Sequence, residues 1–384
     1  MKDVKELRNG IDKIDNQLTN LYIERLKLCK EIGLLKAQTK SSVDVPLREK
    51  EIINKVTSLA DDELKIYVKN LYESIFSQSK AYQNSFIVEN TEIVQKIKQC
   101  LNNKINDLPV SATVACQGVE GAYSGIATEK LFKISNITYF KDFESVFNAV
   151  DKGLCEYGIL PIENSTAGSV LSVYDLITKH NFYIVKSIKM QISHVFAVKH
   201  STNVNNVKAV YSHEQALNQC SEFINKNKYD RVANENTAVS AKFVAESERE
   251  DIGVICSEQC AKIYGLKIVE KGVQNVSNNY TRFICISKNM QVVSGADKIS
   301  VVTSLENKAG NLNKLLNKFA SQGLNLTKLE SRPIPNCQFE FMFYFDFEGD
   351  LENAGVMNLI SELDNSSDKF VFLGCYKEII WNFV

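Results

Sequence analysis

The sequence is short of histidine, proline and tryptophan, and it has no long apolar run. It contains four His, five Pro and one Trp among 384 residues. No apolar run approaches the roughly 20 residues that a membrane helix needs, so we expect no transmembrane segment. The sequence also has no large excess of one charge, because it contains 45 basic and 46 acidic side chains and its net charge is -1. This balance gives no general reason to bind nucleic acid or an anionic membrane surface.

Ten cysteines are present, but no two of them form a C-x-x-C pair. The nearest pair is Cys256 and Cys260, and no histidine lies close to it in the sequence. We therefore expect no zinc site, and no motif calls for another metal or a cofactor. The charged N-terminus leads into a helical pattern and has no signal-peptide character. Together these features predict a cytoplasmic protein with reduced, buried thiols.

The chain divides into segments that differ in hydrophobic periodicity and composition. Residues 1–87 have helical periodicity, and residues 88–110 form a polar, Asn- and Lys-rich linker with room for a short helix. Residues 111–290 alternate strand and helix patterns, which is typical of an α/β domain with buried strands. Residues 296–384 follow the order strand, helix, two strands, helix, strand, a ferredoxin-like arrangement. The sequence therefore predicts a multidomain protein with all-α, α/β and α+β parts.

Several elements can be placed within these segments. The predicted strands of the α/β domain are 112–116, 157–160, 207–211, 253–256 and 282–286, and two of its predicted helices are 123–132 and 169–178. In the last segment, Phe occurs at every second position from Phe339 to Phe347. A period of two predicts a half-buried strand whose Phe face is covered by helices.

Two cations interrupt the apolar stripe of the first predicted helix. The stripe consists of Leu and Ile at helical spacing from Leu7 to Leu35. Arg25 and Lys36 fall near its middle, where a Leu would contribute roughly 1.5–3 kcal/mol by burial and an unpaired cation would be costly. Either both heads snorkel to water or they face an anion, and two cations on one face favour the anion site. Arg8 points about 100° away from both, so a partner helix would have to bring it to the same pocket.

Four short motifs in this segment share their spacing with a known enzyme family. They are Leu7-Arg8, Glu24-Arg25, Gly33-Leu34-Leu35-Lys36 and Val45-Pro46-Leu47-Arg48-Glu49, and they are followed by Ser79 and Gln83 one turn apart. The segment thereby resembles the all-helical chorismate mutases. The resemblance implies an intertwined three-helix dimer in which Arg8 reaches the other subunit's pocket. Val45 departs from the Asp of some members, a residue that makes a lesser substrate contact.

The resemblance implies the rearrangement of chorismate to prephenate, a pericyclic reaction that needs no acid, base or nucleophile. Catalysis then comes from holding a compact conformer and stabilising negative charge on the breaking ether oxygen. By resemblance, Arg8 and Arg25 clamp the substrate carboxylates. Lys36 and Gln83 would donate to the ether oxygen. The groups that would position the ring and its hydroxyl are Arg48, Glu49 and Ser79.

Polar motifs stand at the ends of predicted strands in the α/β domain. Residues 161–165 and 211–215 each follow a strand and precede a helix, and residues 281–283 begin the last strand. Taken alone, Asn164 is most simply a helix cap, and His213 is either a base or a structural donor. Several polar groups at strand ends nevertheless predict a site in a crevice between α/β elements.

The motifs of this domain occur in a recognisable order. They are G-V-E-G-A-Y-S, P-I-E-N-S, Y-S-H-E-Q-A, E-N-T-A and N-Y-T-R-F. This series resembles prephenate dehydratase over residues 112–288, a fold of two α/β lobes around a cleft. The implied reaction protonates the ring hydroxyl as it leaves, while the ring carboxylate departs as CO2.

Two residues are candidates for the proton transfer. By resemblance Thr281 is the residue most tied to it, whereas Glu163 is the better acid if its pocket raises its pKa. The sequence leaves both open. The candidate substrate contacts are Asn164, Ser212, Gln215, Gln219, Thr237 and Phe283.

Two motifs of the last segment resemble the ACT domain of phenylalanine-regulated enzymes. They are Gly310-Asn311-Leu312 at a predicted helix start and Glu330-Ser331-Arg332-Pro333 at a strand end. The family usually has Ala where this chain has Asn311. The resemblance implies L-phenylalanine as an effector at a subunit interface. Its carboxylate would meet N–H groups near Gly310, its ammonium acceptors near Glu330, and its ring Leu312.

The expectation is a bifunctional enzyme of L-phenylalanine biosynthesis, feedback-inhibited by phenylalanine and working as a homodimer or larger homo-oligomer. It would convert chorismate to prephenate and prephenate to phenylpyruvate. In one alternative, the two-lobed domain is a solute-binding sensor that gates the mutase. In another, the helical domain is degenerate and serves only dimerisation. The presence of both Thr281 and Glu163, and the full set of mutase residues, favour the enzyme.

Overall fold

The computed structural model of the chain describes residues 3–39, 41, 43, 45–84, 86, 91–276, 278–308, 310–333, 341–367 and 369–382. The helices are α1 (Val4–Thr39), α2 (Pro46–Thr57), α3 (Lys65–Asn84), α4 (Glu92–Asn102), α5 (Tyr123–Leu131), α6 (Phe143–Asp151), α7 (Leu171–His180), α8 (Glu214–Gln219), α9 (Ser221–Asn227), α10 (Thr237–Glu246), α11 (Glu258–Ile263), α12 (Asn311–Ser321) and α13 (Ala354–Ser366). The strands are β1 (Ser111–Gln117), β2 (Ile134–Phe140), β3 (Tyr157–Asn164), β4 (Gly168–Ser169), β5 (Tyr183–Gln191), β6 (Val195–Val198), β7 (Ala209–His213), β8 (Asp230–Asn234), β9 (Ile252–Cys256), β10 (Lys267–Lys271), β11 (Tyr280–Ser287), β12 (Lys298–Leu305), β13 (Leu326–Pro333), β14 (Phe341–Glu348), β15 (Phe370–Tyr376) and β16 (Glu378–Trp381).

The chain forms two compact units, residues 1–99 with 302–370 and residues 100–301 with 371–384. Within the described residues, no helix is both long and apolar enough to cross a membrane. Over the same part of the chain, His, Cys, Asp and Glu side chains do not gather in groups of three that could hold a metal ion.

Three helices form the N-terminal part of the first unit. α1 spans 36 residues, and the charges of Glu6 in its first turn and Lys36 in its last turn complement the helix dipole. α2 begins at Pro46, whose fixed φ suits the first helical position. α1 and α3 approach closely at Gly33, where an added Cβ would stand 3.1 Å from the backbone of Gln83. Glycine at this position therefore permits the close packing of the two helices.

The apolar stripe of α1 is largely exposed in the single chain. Its eight Leu and Ile side chains, from Leu7 to Leu35, keep between 44% and 64% of their surface accessible. Within this helix only Cys29 and Gly33 are buried. Monomeric proteins rarely expose an apolar face of this length, which typically marks an interaction surface.

The strand predicted from alternating Phe is β14, but it is buried on both faces. Phe345 is fully buried and stacks on Phe319 of α12, with ring centroids 5.2 Å apart, so a helix covers the Phe face as predicted. Met342 and Tyr344 on the other face are also buried, so the prediction of a half-buried strand was wrong. Phe339 lies outside the described residues. In the first unit the strand order is β13-β14-β12.

The second unit contains two sheets. One has the order β16-β5-β11-β3-β1-β2, with β4 paired to β3, and the other has the order β10-β6-β9-β7-β8. β1 is parallel to β2 and β3, while β11 is antiparallel to both β3 and β5. The chain passes from the first sheet to the second after β5 and returns after β10. Residues 192–194 and 272–279 are therefore the two connections between the lobes.

Some element boundaries differ from the prediction. β3 continues to Asn164, so Glu163 and Asn164 are strand residues, and the next helix has Val170 as its N-cap. The interpretation of Asn164 as a helix cap was therefore wrong, because pairing with β11 keeps this segment extended. The polar linker carries α4, whose Val94 and Ile97 are fully buried.

Candidate active sites

A cavity of about 600 Å³ lies beside the connections between the two lobes. Eight of its ten lining residues are of polar type, and the full lining is Thr166, Ala167, His213, Glu214, Gln215, Asn218, Gln219, Asn275, Val276 and Asn279. Two of the predicted substrate contacts, Gln215 and Gln219, are among these residues. The cavity is large enough for a small organic acid and offers several amide groups for hydrogen bonds.

Asn164 connects this cavity to Thr281. Its Oδ1 accepts hydrogen bonds from the backbone N–H groups of Thr166 (3.0 Å) and Ala167 (2.9 Å). Because an amide oxygen only accepts, these two bonds fix the orientation of the side chain. Its Nδ2 then donates to Oγ1 of Thr281 at 2.8 Å. The hydroxyl proton of Thr281 is not used in that bond and can be donated to a substrate.

Glu163 and Thr281 lie on opposite faces of the sheet. In the antiparallel pairing of β3 and β11, Thr281 stands opposite Asn164, and Arg282 stands opposite Glu163. Side chains of neighbouring strand residues alternate between faces, so Glu163 shares its face with Arg282. Its Oε2 lies 3.8 Å from NH1 of Arg282. The two candidate acids therefore do not converge on one point.

Arg282 holds the C-terminal strand to the sheet. Its Nε lies 2.7 Å from Oε2 of Glu378, which opens β16, and its NH2 donates to the Tyr376 hydroxyl. Lys298 contacts the other oxygen of Glu378 at 2.8 Å. Burial alone would raise the pKa of Glu378, but Arg282 and Lys298 outweigh it and hold that pKa below its usual range.

His194 is a polar residue of the cleft that the sequence analysis did not single out. Gln219 donates through Nε2 to Oγ1 of Thr166 at 3.0 Å, and Thr166 donates to Oδ1 of Asn164 at 2.7 Å. Nε2 of His194 lies 3.2 Å from Oε1 of Gln219. Burial lowers the pKa of His194 to about 4, although the hydrogen bond to Gln219 raises it. A neutral imidazole with its proton on Nε2 therefore orients Gln219. This residue lies between β5 and β6 outside any motif, so its only sequence signal was a polar residue between two apolar strands.

The remaining predicted contacts have structural roles or lie outside the cavity lining. Ser212 is fully buried and donates to the carbonyl of Ile255 at 2.6 Å. Nδ1 of His213 accepts from the backbone of Gln215, so this residue caps α8. Thr237 is the first residue of α10. Phe283 is 3% exposed and belongs to the core of the first sheet.

Arg25 meets the predicted mutase residues of α3. Its NH1 donates to Oγ of Ser79, which is 3% exposed, and its guanidinium lies 5.9 Å from the ring centroid of Phe76. Gln83 follows one turn later and is 9% exposed, and within the described residues its Oε1 has no hydrogen-bond partner. Arg25 and Ser79 thus meet between α1 and α3, and Gln83 lies one turn further along α3, where it packs against Gly33.

The other predicted mutase residues of this chain make separate contacts. Nζ of Lys36 donates to the carbonyl of Val43 at 3.2 Å. Glu49 pairs with Lys80 at 3.1 Å, while Arg48 is exposed and pairs with Glu51. These contacts place Glu49 on α2 towards α3, whereas Arg48 points to solvent.

Arg8 is remote from Arg25 in its own chain. It is exposed near the start of α1, 17 residues before Arg25 in the same helix. At 1.5 Å per residue, their backbones are about 26 Å apart along the axis. An Arg side chain cannot span that distance, so Arg8 can join this kind of site only in another copy of the chain.

The two motifs predicted to bind an effector lie at the start of α12 and at the end of β13. Gly310 is the N-cap of α12 with φ +85, a left-handed conformation that favours glycine. Asn311 donates through Nδ2 to the carbonyl of Glu306, and Leu312 is half-buried. At the end of β13, Glu330 and Arg332 are half-buried, and Ser331 between them is exposed.

Comparisons with known proteins match both enzymatic segments of the chain. The family model described as prephenate dehydratase matches residues 114–291, and that described as chorismate mutase type II matches residues 7–84. The chain is 31% identical over 383 residues to the bifunctional chorismate mutase/prephenate dehydratase of Aquifex aeolicus (strain VF5), covering 99% of each. It is 36% identical to an arogenate dehydratase/prephenate dehydratase 2, chloroplastic, of Arabidopsis thaliana, covering 68% of this chain and 72% of that protein.

A similar solved structure is the prephenate dehydratase from Arthrobacter aurescens in complex with L-Phe. Its TM-score is 0.64 at 26% identity, covering 69% of this chain and 90% of that chain. These matches favour enzymatic domains over the solute-binding sensor that the sequence had left as an alternative. Two family models and a relative matched over almost its whole length lead to one conclusion: the chain belongs to the bifunctional chorismate mutase/prephenate dehydratases.

Proposed function

We propose that the helical segment rearranges chorismate to prephenate and that the two-lobed domain converts prephenate to phenylpyruvate in L-phenylalanine biosynthesis. The observation that carries this proposal is the bond from Asn164 to Thr281 beside the polar cavity. The purified chain should form phenylpyruvate from chorismate, with prephenate as an intermediate detected by chromatography. Formation of prephenate without phenylpyruvate would contradict the dehydratase half of the proposal.

In the mutase, charge complementarity supplies the catalysis. Arg25 binds a carboxylate of chorismate, and Ser79 holds the guanidinium in place. Lys36 and Gln83 donate to the ether oxygen, where negative charge develops as the C–O bond breaks. Gln83 suits this role, since it is buried and its neutral amide can donate at any pH. Glu49 positions the ring and its hydroxyl from α2, whereas Arg48 points to solvent in the single chain and has to turn inward to contact the substrate.

In the dehydratase, Thr281 acts at the ring hydroxyl. The bond between the ring and the carboxylate breaks, CO2 departs, and the electron pair enters the ring. The C–O bond between the ring and the hydroxyl also breaks, and the hydroxyl oxygen takes up a proton and leaves as water. Asn164 donates to Thr281, so the Thr281 proton points away from Asn164 and can bind the leaving oxygen. A threonine is a weak acid, and its role is to orient and polarise the hydroxyl while the net proton comes from solvent.

A second copy of the chain completes the mutase site. The exposed stripe of α1 supplies an apolar surface, and Arg8 is too far from Arg25 to act within one chain. Pairing of two α1 helices would bury the stripe and bring Arg8 of the partner chain to Arg25. The enzyme therefore works as a homodimer or a larger homo-oligomer.

Leu21→Glu should dissociate the dimer and abolish mutase activity, because it places a carboxylate on the stripe at a position 64% exposed in the single chain. Sedimentation velocity measures the mass, and a chorismate assay measures the activity. Asn16→Glu, on the opposite side of α1, is the matched control and should change neither. A wild-type chain that sediments as a monomer with full mutase activity would refute the shared site.

L-phenylalanine is the proposed effector. The start of α12 at Gly310 offers backbone N–H groups for a carboxylate, and the half-buried Glu330 offers an acceptor for an ammonium. The L-Phe named with the Arthrobacter aurescens enzyme supports the same ligand class for this chain. An amino acid that binds one quaternary arrangement better than another shifts the population towards it and thereby acts as an inhibitor.

Phenylalanine should inhibit the dehydratase by about 5- to 150-fold, the usual range of allosteric coupling. Glu330→Gln should weaken that inhibition, since it removes the charge that pairs with the ammonium, and Glu352→Gln is a control at an exposed site. The test uses point variants because truncation after residue 289 would also remove β16 from the dehydratase sheet. Isothermal titration that detects no phenylalanine binding to the intact chain would refute the regulatory proposal.

A further inference from the structure

Asn279 belongs to the lining of the dehydratase cavity and has a buried hydrogen-bond donor that no described residue satisfies. This residue lines the cavity and is only 2% exposed. Its Nδ2 is buried and has no hydrogen-bond partner among the residues that the structure describes. A buried donor without an acceptor is unfavourable, and native proteins generally keep such groups where a ligand or water satisfies them.

Neighbouring bonds fix the orientation of the Asn279 amide. Oδ1 of Asn164 already accepts two backbone N–H groups, so the atom of Asn164 that faces Asn279 must be Nδ2. That Nδ2 donates to Oδ1 of Asn279 at 2.9 Å. Rotating the Asn279 amide by 180° would bring two NH2 groups together. The free group of Asn279 is therefore its Nδ2.

The backbone holds Asn279 firmly in this position. Its carbonyl accepts from the N–H of Ile192 at 2.7 Å, which joins the two connections between the lobes. The next residue, Tyr280, begins β11 and donates its N–H to Oγ of Ser165 at 2.9 Å. A donor fixed in this way is preorganised and loses little conformational freedom when a ligand binds.

The same Nδ2 of Asn164 bonds to both Asn279 and Thr281. The two side chains are thus neighbours, yet only Asn279 belongs to the lining of the cavity. This arrangement suits a substrate whose hydroxyl is at Thr281 and whose anionic group extends into the cavity. Prephenate carries two carboxylates, and a carboxylate is a strong acceptor for an amide N–H.

We propose that Nδ2 of Asn279 binds a carboxylate oxygen of the dehydratase substrate and so positions it against Thr281. This inference rests on the dehydratase function proposed above. The role of Asn279 is binding and not bond breaking. Its loss should therefore raise KM for prephenate more than it lowers kcat.

Asn279→Asp is the sharpest test, because it preserves the size of the side chain and replaces the donor with a carboxylate. At neutral pH, KM for prephenate should rise by about tenfold or more, since a charged hydrogen bond is lost and a like charge is added. On acidification the protonated Asp regains a donor, so the KM ratio of variant to wild type should fall towards one. Rates are measured against enzyme-free blanks, and near-ultraviolet circular dichroism verifies the fold.

Asn148→Asp makes the same chemical change on the exposed face of α6 and should leave KM unchanged. Asn279→Ala, which removes the donor without adding charge, should raise KM less than Asn279→Asp and show no recovery on acidification. A folded Asn279→Asp enzyme with wild-type KM, or with kcat alone reduced, would overturn the inference. A wild-type chain without activity on prephenate would instead overturn the dehydratase function itself.

Discussion

Arg25→Ala should lower mutase turnover by about 10²-fold or more, because it removes a charge that contacts the substrate throughout the rearrangement. The Arg25 side chain of α1 donates a hydrogen bond to Ser79 of α3. Its removal therefore leaves a space within the predicted pocket. Dehydratase activity on added prephenate should survive, since its residues lie in the second unit. Chorismate consumption and phenylpyruvate formation from prephenate, measured on the same preparation, separate the two effects.

Two further variants sharpen this comparison. Lys36→Ala should reproduce the selective loss, because Lys36 is the other cation proposed to contact the substrate. Lys27→Ala removes a cation from an exposed position of α1 and should leave both activities intact. A loss of both activities in a folded Arg25→Ala enzyme would contradict the assignment of separate sites.

Thr281→Ala should disable dehydration and leave the mutase nearly intact, so prephenate should accumulate from chorismate. The substitution removes the hydroxyl that Asn164 holds at 2.8 Å, and loss of one positioned hydrogen-bond donor to a transition state commonly costs about 10²–10³-fold in rate. Thr281→Ser keeps the hydroxyl and should retain much of the activity. An unchanged turnover in Thr281→Ala would remove Thr281 from the mechanism.

Glu163→Gln tests the rival acid. Because Glu163 faces Arg282 on the other side of the sheet, we expect turnover to persist and the pH–rate profile to keep its shape. Loss of one limb of that profile would assign the proton to Glu163 instead.

Sequence reasoning proposed residues for both sites, and the structure shows which of them lie close together. The family resemblance implied that Arg25, Ser79 and Gln83 share a site, and packing between α1 and α3 brings Arg25 into contact with Ser79. Helical periodicity placed only Ser79 and Gln83 on one face of α3, since residues three or four apart are neighbours. Asn164 was a candidate substrate contact whose local pattern suggested a helix cap, and the long-range pairing of β3 with β11 makes it a strand residue instead.

Other features had no local signal. Gln219 was a candidate substrate contact, but the sequence analysis missed His194. The contact between them joins residues 25 positions apart in the sequence, and no local pattern indicates it. β14 was predicted to have one exposed face, whereas Met342 on that face is buried. Period-two alternation identifies a strand, but it does not tell whether a second layer covers the less apolar face.

The sequence by itself determined the family, the order of the domains and the inventory of reactive side chains, because these depend on residue types and on spacing within single elements. The tertiary structure decided which side chains meet and which atoms they present. It placed Glu163 and Thr281 on opposite faces of a sheet, and it left Nδ2 of Asn279, a residue of the cavity lining, without a partner among the described residues. These outcomes depend on the register between strands distant in sequence, where a shift of one residue reverses every side chain, and local patterns do not specify that register.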